Sequence, residues 1–129
     1  MSAAGSHRRR VRMGVVVLTA GAVAVGGALS AGVADGARRV HIDARSQGLK
    51  FTKKTVRLRH GRITFLTKNP QSLPHAIAVE GHGIDKDGKP VTRGGTSRVT
   101  VTLKKGRYVF YCPFDGHRAA GMRGTLVVK

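Results

Sequence analysis

Cys112 is the only cysteine in a chain of 129 residues, and His117 and Met122 follow it at even spacing, with four residues in each gap. These side chains offer a thiolate, an imidazole and a thioether, all soft or borderline metal donors. A second imidazole would complete a trigonal His2Cys set with a weak axial methionine, the donor arrangement of copper sites that move single electrons. The segment holds no second histidine, so it has to come from elsewhere in the chain. His75 is the candidate. It opens an apolar run after a loop containing Pro70 and Pro74, and it shares side-chain parity with Ile77 and Val79. Singly, each residue has a plainer explanation. Met122 could fill a gap in the core, His75 could be a satisfied strand histidine, and His117 a surface loop residue. Cys112 could be an intermolecular disulfide partner, a functional thiol or a small buried hydrophobe. Their occurrence together, in this order, favours one mononuclear copper site. His41, His60 and His82 lie among turns and basic residues and are expected in solvent.

Donors so far apart in sequence need a frame to bring them together. The chain beyond residue 35 reads as short strands separated by Gly, Pro, Asn and Asp turns. Residues 40–44 and 54–59 alternate. Residues 62–67 form a further strand, and His75, Ile77 and Val79 share one face of the next. Asp85-Lys86-Asp87-Gly88-Lys89-Pro90 has turn composition, without the downstream acidic ligand of a calcium loop. Val99, Val101 and Leu103 alternate with Arg98, Thr100 and Thr102, and residues 107–112 and 124–128 are the last strands. No helical period of useful length appears. The pattern predicts an all-β fold, an antiparallel Greek-key β-sandwich. Leu103-Lys104-Lys105-Gly106-Arg107-Tyr108 resembles a tyrosine corner, in which the phenol pins a crossover between strands. Tyr108, Phe110 and Cys112 then share a face by the period of two. If that face is the core, Cys112 sits where the strand passes into the loop.

The stretches Asn69…Pro74-His75, Gly106-x-Tyr108-x-Phe110-Tyr111-Cys112 and Gly116-His117-x-x-x-Gly121-Met122-x-Gly124 resemble the cupredoxins. That family includes plastocyanin, azurin, rusticyanin and the phytocyanins. The resemblance runs from Val40 to Lys129 and is strongest from Lys105 onward. The C-x4-H-x4-M loop is longer than that of plastocyanin and is similar to that of rusticyanin and the phytocyanins. The resemblance implies His75, Cys112 and His117 as equatorial ligands and Met122 as the axial ligand of one type 1 copper ion. The chain departs from the family's pattern at two positions. Ala76 stands where members often carry Asn, and Pro113 where they often carry Ser or Thr, side chains that tie the ligand loops together. Asn69 is the residue left to make such a tie through its amide. Pro113 fixes its own φ and lacks an N–H near the sulfur. Asp115 stands where relatives often have Pro.

The first 34 residues read differently. Arg8, Arg9, Arg10 and Arg12 precede an uncharged run over 13–34, rich in Val, Ala and Gly. This is a secretory signal pattern, with small-x-small cleavage sites at Ala28-Leu29-Ser30 and Gly32-Val33-Ala34. The alternative is an uncleaved anchor, since about 20 uncharged residues can span a bilayer. Either way, residues 35–129 form one domain outside the cytoplasm. Four of the 24 basic residues lie in the leader, which leaves 20 in the domain against six acids. Such an excess steers a protein toward acidic redox partners or an anionic envelope surface. Nucleic acid is not an expected partner, because no aromatic-interleaved basic cluster appears. A lone cysteine excludes a binuclear copper-thiolate centre, and six histidines are too few for a multicopper oxidase. No nucleophilic triad or carboxylate pair is credible, so the chain is not read as an enzyme. The expected function is a monomeric, exported electron carrier with Cu(II)/Cu(I) cycling. The alternative is a copper carrier or storage protein without a redox partner, and a sandwich without metal is a third reading.

Overall fold

The computed structural model describes residues 36–129. The expected leader, 1–34, with its two cleavage sites, lies outside the described residues. Eight strands run in chain order: β1 (Arg38–His41), β2 (Thr55–Leu58), β3 (Gly61–Lys68), β4 (Ala78–Gly81), β5 (Ile84–Asp87), β6 (Thr96–Leu103), β7 (Gly106–Tyr111) and β8 (Arg123–Val128). They form a three-stranded sheet, β1-β3-β6, and a five-stranded sheet, β2-β8-β7-β4-β5. Among the described residues no helix is long and apolar enough to cross a membrane.

Alternation decides which faces meet. β6 buries Ser97, Val99, Val101 and Leu103, and the residues between them are exposed or half-buried. Ile63 and Phe65 of β3, Tyr108 and Phe110 of β7, and Leu126 and Val128 of β8 complete one apolar core with Ile42 and Phe51. Phe110 meets Phe51 edge to face, with ring centroids 5.4 Å apart. Gly124 lies directly across the ladder from Phe110. A Cβ at Gly124 would overlap the Phe110 ring, so the glycine makes room for the aromatic pair. The tyrosine corner forms as expected. The Tyr108 hydroxyl donates to the Lys104 carbonyl at 2.9 Å and accepts from the Lys104 N–H at 3.1 Å.

The structure departs from the sequence expectation in three ways. First, the pairing is mixed. β1 runs parallel to β3 and β2 runs parallel to β8, while the other pairs are antiparallel. The chain crosses from one sheet to the other between β1 and β2 and returns at β3, which supplies the crossover a parallel pair requires. Second, the first half of the turn expected over residues 85–90 is strand. β5 pairs with β4 through a two-residue turn at His82-Gly83, where both φ values are positive, 50° and 79°, as a tight hairpin demands. Asp85, Lys86 and Asp87 are edge-strand charges, which guard an open edge against further pairing. Third, the strand expected from His75 begins only at Ala78. His75 is held by an isolated bridge to Val91, with backbone N–O distances of 3.0 and 2.9 Å.

Candidate metal centre

Cys112 directly follows β7. The expected inward face is present, since Tyr108, Phe110 and Cys112 are all buried. The chain then makes a compact loop before entering β8. His117 N–H donates to the Phe114 carbonyl, Met122 N–H to the His117 carbonyl and Cys112 N–H to the Met122 carbonyl, at 2.9, 3.0 and 3.0 Å. These bonds bring both ends of the loop beside His117. Asp115, at φ 37°, and Gly116, at φ 68°, supply the left-handed turn that reverses the chain. The even spacing seen in the sequence is thus the length of a closed, backbone-bonded loop.

His75 arrives from the other side. Its approach is fixed by Asn69, whose amide donates to the carbonyls of Leu73 and Val91 at 2.8 and 2.7 Å and whose side-chain oxygen accepts from Gln71 N–H at 2.7 Å. Asn69 therefore ties the His75 loop to the segment around Val91. It does not reach the Cys112 loop, which corrects the tie expected from the sequence. A backbone contact joins the two ligand loops instead. The Ala76 N–H points at Cys112 Sγ from 3.5 Å. Ala76, the position that lacks the family's usual side chain, supplies its main chain.

These segments converge. His75, Cys112 and His117 are buried, and their donor atoms lie within 4.8 Å of one another. Cys112 Sγ is 3.5 Å from His117 Nδ1, and the two imidazole centroids are 5.1 Å apart. Neither ring nitrogen of His75 has a hydrogen-bond partner. Leaving one such buried group unsatisfied costs about 1–3 kcal/mol. Protonation offers no relief, because burial, and then the nearby His117, lower the His75 pKa. A ring nitrogen aimed at a thiol and a second imidazole, with nothing to bond, fits a cation, and the N2S donor set fits copper. His75, Cys112 and His117 are positioned to bind one metal ion. Met122 is fully buried, and its backbone bonds to both Cys112 and His117 hold it beside them.

The two flanks of the loop were not foreseen. On one, Arg118 Nη1 lies 2.6 Å from Glu80 Oε2, and its guanidinium sits 4.1 Å over the Tyr111 ring. The Tyr111 hydroxyl donates to Asp85 at 3.0 Å, with Asp87 at 3.4 Å. Burial and the bond to Asp85 hold that phenol well above its usual pKa. On the other flank, Arg45, Lys50, Lys54 and Arg123 surround a hollow of about 450 Å³ floored by Phe51 and edged by Ala120 and Gly121. The other histidines among the described residues stay apart from the centre. His41 and His60 are exposed, and His82 lies against Tyr108 at the other end of β7.

A sequence profile described as copper binding proteins, plastocyanin/azurin family, matches residues 38–129. No curated protein sequence matches. Solved structures do. The chain is similar to the dithionite-reduced auracyanin of the photosynthetic bacterium Roseiflexus castenholzii, at 23% identity and a TM-score of 0.64, over 72% of this chain and 98% of that one. It is also similar to auracyanin A, a "blue" copper protein of Chloroflexus aurantiacus, at 19% and 0.61, over 70% and 98%. Amicyanin of Paracoccus versutus aligns at 20% and 0.54, over 70% and 81%. At these identities the likeness establishes a shared fold.

Proposed function

Because this chain belongs to the plastocyanin/azurin family of copper-binding proteins, we propose that it carries single electrons between redox proteins outside the cytoplasm. One copper ion would be held by His75, Cys112 and His117, with Met122 beside them as a weak further donor. The observation that carries this reading is the pair of orphaned ring nitrogens of buried His75 beside Cys112 Sγ and His117. Bound copper supplies a one-electron couple, Cu(II)/Cu(I).

The residues of the chain set the terms on which that couple works. Cys112 gives up its thiol proton on metal binding, and the Ala76 N–H at 3.5 Å stabilises the resulting thiolate. His75 stays neutral because its surroundings disfavour the charged form. The donors flank β4, β7 and β8, which are neighbours in one sheet, and His117 sits in a backbone-bonded loop, so little has to rearrange when the charge of the centre changes. Water is kept away from the sulfur, since Cys112 is fully buried. Phe114 packs against the His117 ring at 5.2 Å. Half-buried Pro74, Pro113 and Phe114 lie with exposed Leu73, Ala119 and Ala120 in the segments around the ligands. An apolar surface of this kind suits brief encounters with a redox protein. The protein works as an exported monomer, with residues 1–34 as its signal or anchor and acidic partners favoured by the excess of basic residues.

The test is the visible spectrum after one equivalent of Cu(II), beside Cys112→Ala. An intense thiolate-to-copper band that ascorbate bleaches and an oxidant restores, absent in the variant, supports the reading. A colourless protein that passes its copper readily to a chelator would make it a copper carrier instead. A protein that retains no copper would be a sandwich without a metal role.

A further inference from the structure

Around the apolar surface at the ligands, the charges are not spread evenly. Arg45, Lys50, Lys54 and Arg123 line one hollow of about 450 Å³. No carboxylate lines it, and among the described residues none of these four cations is paired with one. Its edge is the Ala120-Gly121 turn, inside the segment between His117 and Met122, and Arg123 directly follows Met122. The hollow therefore shares its wall with the ligand loop.

The rim is also held in place. Ala44 bridges to Phe51, and Arg45 N–H donates to the Lys50 carbonyl at 3.0 Å. The Gln71 amide donates to the carbonyls of Arg45 and Gly48 at 2.7 and 2.9 Å, tying the rim to the loop that delivers His75. The Lys54 carbonyl accepts from Thr125 N–H at 2.8 Å, anchoring that side to β8. Four like charges on a fixed rim repel one another. Folding gains nothing from gathering them, while an anionic partner gains from finding them preorganised.

We propose that this hollow is the docking site for an acidic surface of the redox partner, whose carboxylates seat against Arg45, Lys50, Lys54 and Arg123 beside the Ala120-Gly121 turn. The proposal rests on the electron-carrier reading. The opposite flank is a poor choice for the same partner, because Glu80, Asp85 and Asp87 stand there. Docking at the hollow places the partner against the ligand loop without covering β5.

The experiment has a metal-free arm and a copper-loaded arm, and both use Lys50→Glu/Lys54→Glu against Lys104→Glu/Lys105→Glu. The two double variants change the net charge equally. Lys104 and Lys105 precede β7, whereas Cys112 follows it, so the control pair lies at the other end of the strand. All four side chains are exposed, so both variants are expected to fold. In the first arm, poly-L-glutamate is titrated into the copper-free protein and followed by amide NMR. The expected result is shifts centred on residues 45–54 and 120–123, and binding weakened about tenfold by the hollow variant but no more than about twofold by the control. In the second, the copper-loaded forms, first reduced with ascorbate and freed of it, are oxidised by hexacyanoferrate(III), which takes one electron from Cu(I) and becomes hexacyanoferrate(II). The hollow variant should slow this step more than the control does, by a margin that shrinks with salt. Equal losses in the two variants, in either arm, would overturn the proposal and leave only a net-charge effect. If no thiolate-to-copper band forms at all, the electron-carrier reading fails, while the metal-free arm still decides whether acidic chains dock in this hollow.

Discussion

The two flanks of the ligand loop differ in how their charges are used. On the β4–β5 side, Glu80, Arg118, Tyr111 and Asp85 are joined by an ion pair, a cation–π contact and a hydrogen bond. On the other side four cations stand over an apolar floor, Phe51, which packs on Phe110. Charges paired within the molecule hold the loop to the sheet. Unpaired charges contribute little to the fold and are available to something else. The first flank is held by its charged and phenolic side chains, and the second by backbone hydrogen bonds, the Gln71 amide and its aromatic pair, with its charged side chains left over.

Substitutions on the two flanks test that contrast. The largest effect is expected at the floor. Phe51→Ala should lower stability by about 3–5 kcal/mol, read as a fall in the urea midpoint at constant slope. Next comes Arg118→Ala, which removes both the Glu80 pair and the contact with Tyr111. Exposure of the ion pair holds the loss to about 1–1.5 kcal/mol, with partial recovery in Arg118→Lys. Amide exchange should rise chiefly over residues 114–121. Tyr111→Phe deletes only the hydroxyl that serves Asp85 and Asp87 and should cost about 1 kcal/mol in thermal or urea unfolding. The smallest effect belongs to the rim. Lys50→Gln and Lys54→Gln should each leave stability within about 0.5 kcal/mol of the parent, or raise it by relieving repulsion. If either rim change destabilised the protein as much as Arg118→Ala does, the two flanks would not differ in kind.

The His75–Cys112–His117 cluster was legible in the sequence because its chemistry is written in rare residues. One cysteine with a histidine five residues on leaves few alternatives, and the structure gathers His75, Cys112 and His117 within 4.8 Å. The core faces were legible for a similar reason, since Val99, Val101 and Leu103 alternate cleanly with polar neighbours. Strand direction was not. A period of two gives the same signal for parallel and antiparallel partners, so β1 and β2 could not be assigned. β5 was hidden because Asp85, Lys86 and Asp87 have the composition of a turn and the task of an edge. Asn69 was misassigned because an amide does not announce which carbonyls it will meet. The basic hollow was invisible for a topological reason. Arg45 and Arg123 lie near opposite ends of the domain's sequence and meet only because the Ala44–Phe51 bridge folds one rim back beside β8.

The position of β8 carries a consequence in time. It is the final strand in chain order, yet it lies inside its sheet, between β2 and β7. Thr55 must find Thr125 as its neighbour, one of the longest-range pairings in the fold. Closing so large a loop is slow, and a chain dominated by such pairings folds over milliseconds to seconds. The Cys112–Met122 backbone bond closes a short loop as β8 pairs with β7, whereas His75 joins that loop only when β4 pairs with β7. The complete donor set is therefore expected to form later than its Cys112–His117 half. An unfolded chain already holds Cys112 and His117 close together, while His75 lies far off in sequence, so metal met before folding finds a thiol and one imidazole without the second.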